Sequence, residues 1–155
     1  MIRQMKLVVA VLVILMTTSL VAQESLSLAR DLYAAAEYET ALSMLNRLQS
    51  TAHSPADNRG IEQYRAFCLL ALGRTSDAER AIEAVVKAEP SYTPSENEVS
   101  PRLRTAFSDV RKRMLPGIVQ DQYSQAKAAF DQKNYAVAAN SFKDMLATLA
   151  DPAVG

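Results

Sequence analysis

The sequence predicts an all-α fold of antiparallel helix pairs, and three observations predict it. After residue 22, apolar residues recur mostly at intervals of three and four, the spacing of one helix face. Small and apolar residues then return in the same order at displacements of 37 and 60 residues. The apolar stripes are separated at Ser54-Pro55, Gly73, Pro90, Ser100-Pro101 and Pro116-Gly117, residue types that start or stop helices.

Met1 to Ala22 has the order of a secretory signal. Arg3 and Lys6 give a positive start, Leu7 to Met16 is unbroken apolar sequence, and Thr17 to Ala22 turns to smaller residues. The uncharged span Leu7 to Ala22 is 16 residues, short of the roughly 20 that cross a bilayer. Cleavage is therefore expected, although Leu20 is larger than the residue that best fits the cleavage site. An uncleaved leader would instead anchor the chain in a membrane and give it a peripheral membrane contact. No cysteine follows the apolar run, which argues against a lipoprotein. Under either reading the remainder is expected to lie outside the cytoplasm.

Two hairpins are expected over residues 24–90. In the first, Leu28, Ala29, Leu32 and Ala36 form one stripe and Ala41, Leu45 and Leu48 the next. The lone histidine, His53, falls in the loop ahead of Ser54-Pro55, a helix cap with proline at the first helical position. In the second hairpin, Ala66, Leu69, Gly73, Ala78, Ile82, Val85 and Pro90 stand at intervals of 3, 4, 5, 4, 3 and 5. Ala66 and Ala78 let two helix backbones approach, Gly73 can adopt the left-handed turn, and Pro90 stops the second helix. Ser76 and Glu79 are spaced as a capping box, and Glu79 with Glu83 reads as a solvated face.

Residues 91–100 read as an extended connector. A basic amphipathic helix is expected over 101–115, with Leu103, Phe107, Val110 and Met114 as its apolar stripe. Pro116-Gly117 is expected to end it. A last hairpin over 118–150 follows, with Val119, Tyr123, Ala126 and Phe130 on one helix, and Ala138, Phe142, Met145 and Leu149 on the other. Asn134 suits the turn between them, and Tyr-x-x-Ala opens the second helix at Tyr38 and again at Tyr135.

The set Ala66, Leu69, Gly73, Ala78, Ile82, Val85, Pro90 resembles one tetratricopeptide repeat, a family with a period of 34 residues. The resemblance implies a helical-hairpin solenoid of about three hairpins plus one extra helix, with a concave surface for partners. The stretch SPRLRTAFSDVRKRMLPGIVQDQYSQAKAAFDQKNYAVAANSFKDML is also similar to the amino-terminal repeat module of some bacterial periplasmic proteins that carry a TonB-like carboxy-terminal domain. That likeness implies a cell-envelope role through protein contacts, in the periplasm or anchored in the inner membrane and facing the periplasm. Solenoids usually close on a polar capping helix. None follows Leu149, so the last hairpin is expected to continue into further chain or to be covered by a partner.

At 155 residues the chain has one domain's length. Without Arg3 and Lys6, 15 basic residues face 17 acidic ones, a net charge of −2 that gives no reason to expect a nucleic-acid partner. One histidine and one cysteine, no Gly-rich phosphate loop and no cluster at metal-ligand spacing argue against an enzyme, a metal or a cofactor. Cys68 lies in an apolar run and reads as a small core residue.

The expected function is thus non-catalytic binding of a partner peptide or protein. If Ala29, Ala66 and Ala126 face the second helices, the residues one and four further on line the groove. These are Arg30, Tyr33, Phe67, Leu70, Lys127 and Phe130, with a core role as the rival for the aromatic and aliphatic members. They would suit a peptide carrying an acidic residue. The alternative is a structural or assembly subunit of an envelope complex, using the exposed last hairpin and the basic surface Arg102, Arg104, Arg111, Lys112 and Arg113. That surface reads as a solvated helix face or as a dock for an acidic protein or anionic lipid.

Overall fold

The structure, a computed structural model, describes residues 26–51, 54–97 and 99–154. The leader and His53 lie outside the described residues. Among those described there are six helices and no strand: α1 (residues 26–34), α2 (Tyr38–Gln49), α3 (Pro55–Ala71), α4 (Thr75–Ala88), α5 (Pro101–Asp131) and α6 (Tyr135–Leu149). They fall into two compact units, Met1–Arg74 and Thr75–Gly155.

Three helices end in the same way, in the register of the sequence repeat. Ala36 (φ 62°), Gly73 (φ 75°) and Lys133 (φ 62°) each take the left-handed conformation. At each turn the left-handed residue's N–H donates to the carbonyl three back, and the next N–H donates to the carbonyl five back. The pairs are Ala36 to Tyr33 (3.0 Å) with Glu37 to Leu32 (2.9 Å), and Gly73 to Leu70 (3.2 Å) with Arg74 to Leu69 (2.8 Å). The third is Lys133 to Phe130 (2.8 Å) with Asn134 to Ala129 (2.9 Å). This double closure satisfies carbonyls that a helix end would otherwise leave unpaired. Lys133, and not Asn134, is the turn residue; Asn134 is the cap residue of α6 and makes no side-chain cap bond. Helix α4 begins at Thr75, so Ser76 lies inside its first turn and the expected capping box is displaced.

The small residues of the repeat are internal. Ala29, Ala41, Ala66, Ala78 and Ala126 are 0% exposed and Ala138 is 2%. In the first unit, α2 packs on α3, and α1 reaches α3 through contacts of Tyr33 with Tyr64 and Phe67. A Cβ on Gly60 of α3 would stand 3.1 Å from the Leu26 side chain, so glycine permits the close approach of α1.

In the second unit, α4 packs on the first half of α5 and α6 on its second half. The connector is not merely extended. Pro94 and Val99 are buried, and the Tyr92 ring meets Phe107 edge-on at 5.8 Å. Both serine-proline starts are realised: Ser54 accepts from the Asp57 N–H at 3.0 Å and Ser100 from the Leu103 N–H at 3.4 Å.

The main departure from expectation is α5. Residues 101–115 and the first helix of the last hairpin are one helix of 31 residues that runs through Pro116. Proline removes one helical hydrogen bond and crowds the carbonyl four residues back, at about 3 kcal/mol. Here Lys112, Pro116 and Gly117 are all exposed, so water can reach the Lys112 carbonyl. Packing on both sides of the break outweighs the cost, with Phe107, Val110 and Leu115 buried before it and Ala126 after it.

Candidate interaction surface

The residues expected to line a groove differ in burial. Phe67 and Leu70 are buried, at 3% and 5% exposure, and belong to the core. Their position on α3 gives them this role, because the apolar run from Ala66 to Leu70 is buried at every residue. Tyr33 is half-buried and lies 5.6–5.8 Å from the rings of Tyr38, Tyr64 and Phe67. Burial, then the neighbouring Tyr38, Cys68 and Tyr64, push its hydroxyl pKa up. Arg30 is exposed, and its guanidinium lies 5.2 Å from the centre of the Tyr64 ring, a cation–π contact.

In the second unit Lys127 and Phe130 are exposed. Lys127 Nζ pairs with Asp131 at 2.6 Å, and that hydrogen bond, with the charge behind it, raises the ammonium pKa. Phe130 meets Tyr135 at 5.5 Å.

The expected basic surface is partly buried and partly paired. Arg111 is not on the surface at all: it is buried, donates to the Pro90 carbonyl from Nε (3.3 Å) and Nη2 (3.2 Å), and pairs with Asp151. A guanidinium can serve two acceptors from one buried position, whereas the spacing of charges in sequence cannot reveal acceptors 21 and 40 residues away. Arg113 spans Glu83 (2.7 Å) and Glu79 (3.8 Å) on α4, so those carboxylates face α5. Arg104 pairs with Glu96 at 3.3 Å. Arg102 and Lys112 are exposed.

Exposed apolar side chains gather on the last hairpin. Of the seven large ones among the described residues, only Leu28 lies elsewhere; the others are Tyr123, Phe130, Tyr135, Val137, Leu146 and Leu149. Helix α6 buries Ala138 alone. Tyr135, Ala139, Phe142, Leu146 and Leu149 recur at intervals of 4, 3, 4 and 3, and so form a continuous stripe on one flank. Phe142 is half-buried, against Tyr123 at 6.2 Å; the others are exposed. A water-facing apolar stripe of this kind marks an interaction site more often than chance. In the sequence this flank is a second apolar periodicity starting at Tyr135, which shares Phe142 and Leu149 with the inward stripe.

Two clefts also mark the second unit. One, of about 320 Å³, is lined by Pro90, Ser91, Gln122, Asp144, Thr148 and Asp151 among others. A more open one of about 710 Å³ lies along Lys87, Arg113, Met114, Ile118, Asp121 and Gln122. Gln122 Oε1, on a residue lining both, is buried without a hydrogen-bond partner, a place for an ordered water. Among the described residues, no group of three His, Cys, Asp or Glu side chains could hold a metal ion, and no helix is long and apolar enough to cross a membrane.

No protein-family model, no curated protein and no solved structure matches the chain.

Proposed function

We propose that this protein is a non-catalytic protein–protein interaction module of the bacterial cell envelope, built of tetratricopeptide-like hairpins and exported by its leader. The family reading is supported by three like turns at Ala36, Gly73 and Lys133 and by six buried alanines, all in the register of the repeat. The export reading is supported by the order of charge and apolar residues in Met1 to Ala22.

One observation supports the last hairpin over the groove as the contact surface: large apolar side chains reach water on the α5–α6 hairpin, while Phe67 and Leu70 of the supposed groove are buried. The assembly-type contact through the last hairpin is therefore the better reading, and the partner is a protein. Neither nucleic acid nor a cofactor has a part in it.

A photo-crosslinking amino acid placed at Leu146, and separately at Tyr33, in the host envelope tests the choice. Leu146 should yield a defined adduct and Tyr33 none. Adducts from Tyr33 alone would return the contact to the groove.

A further inference from the structure

The repeat itself indicates what covers the exposed flank of α6. Positions 135, 139, 142 and 146 correspond in register to Tyr38, Leu42, Leu45 and Gln49 of α2, and to Thr75, Glu79, Ile82 and Val86 of α4. In each unit, the helix that follows in the chain packs against part of that flank, while Tyr38 meets the Tyr33 ring of the preceding helix and Gln49 and Thr75 stay exposed. Helix α3 packs on α2, and Leu42 and Leu45 are buried; α5 packs on α4, and Ile82 and Val86 are buried. No described helix does the same for α6, where Ala139 and Leu146, the counterparts of the buried Leu42 and Val86, are exposed.

The polar contact beside this flank is specific. Asn46 Oδ1 on α2 accepts from Arg65 Nε on α3 at 2.9 Å. At the same register position on α4, Glu83 takes Arg113 Nη2 of α5 at 2.7 Å. Both helices thus offer an acceptor and both covering helices bring an arginine. In α6 that position is Lys143, exposed, so the polarity is reversed.

We propose that the α6 flank docks an amphipathic α-helix of another polypeptide. Its apolar stripe covers Tyr135, Phe142, Leu146 and Leu149, and an Asp or Glu meets Lys143 where Arg65 and Arg113 stand in the internal precedents. This rests on the interaction-module reading and specifies its surface and partner chemistry.

A second copy of the chain fits less well. Antiparallel α6–α6 pairing centred on Phe142 sets Lys143 near its own equivalent, a like-charge contact. A head-to-tail copy would set Leu28, the counterpart of Arg65 in α1, at Lys143, with its acid, Asp31, three residues out of that register.

The test uses the whole protein and two helix-stapled, fluorescein-labelled peptides. One has the α3 sequence from Pro55 to Ala71; the other is the same peptide with Arg65→Glu. The Arg65→Glu peptide should bind about tenfold tighter by anisotropy, a coupling ordinary for a close charge pair at an interface. Lys143→Glu in the protein should reverse the preference, and Leu146→Glu should abolish binding of both while the circular dichroism spectrum stays unchanged. Equal binding of the two peptides, binding of neither, or a preference that survives Lys143→Glu overturns the proposal. So does a dimer by light scattering that Leu146→Glu dissociates, which would make a second copy the occupant. If adducts form at Leu146 in the envelope while the peptides show no charge preference, this inference fails and the interaction-module reading stands.

Discussion

Single side chains carry two of the clearest consequences. A lysine in the left-handed conformation costs roughly 1–2 kcal/mol relative to its ordinary backbone, and glycine avoids most of that. Lys133→Gly should therefore stabilise the chain by about 1 kcal/mol in denaturant unfolding, and Gly73→Ala should destabilise it by a similar amount. Were Asn134 the turn residue, Lys133→Gly would be destabilising as an added helix-end glycine. Cys68 is the second case. Burial pushes its thiol from 9.0 to about 11, so the neutral form is favoured on folding. Such a group adds stability that is complete below pH 9 and is lost as pH rises through about 11. The urea midpoint should fall over that window, and fall less in Cys68→Ala; the raised hydroxyl of Tyr33 leaves part of the slope in place. An equal slope in both proteins would show that the thiol is not responsible.

Among the elements, α5 separates what local sequence can and cannot decide. Pro116-Gly117 is a correct local stop signal, and it loses because both flanking segments have apolar faces with something to bury against. The serine-proline caps at Ser54 and Ser100 are realised because they depend only on the next three residues. If α5 is continuous, Pro116→Ala restores a helical N–H and should stabilise by about 1–3 kcal/mol. Gly117→Ala should add about 1 kcal/mol, since a Cβ there meets nothing within 4 Å. Both are read by denaturant unfolding with helix content followed by circular dichroism. No gain from either would mean that the helix is in fact divided at this point.

For the molecule as a whole, the ties within the second unit matter more than any charge count. Arg111 joins the connector at Pro90 and the segment at Asp151 to the middle of α5. Arg111→Ala leaves these acceptors without their donor and should cost about 3 kcal/mol. Arg111→Lys should recover less than half of that, because an ammonium lacks the planar fork. A surface arginine would instead give a change within about 0.5 kcal/mol, and thermal or urea unfolding of the two variants distinguishes the cases. At this scale the repeat also explains itself. Its alanines are internal in both units, yet the larger apolar positions are less covered in α6, where Phe142 and Met145 are only half-buried, than in α4, where Ile82 and Val85 are buried. The same flank that closes α2 and α4 is left facing water.

The sequence by itself determined the all-α class, the repeat register, the serine-proline helix starts and the small residues that sit between backbones. Each of these follows from periodicity or from a few neighbouring residues. Only the tertiary structure decided that Pro116 lies within a helix, that Phe67 and Leu70 are core, that Arg111 is internal, and that α6 turns an apolar flank outward. Those outcomes depend on which chain segments meet across tens of residues. Local spacing gives both faces of a helix but not which of them finds a partner.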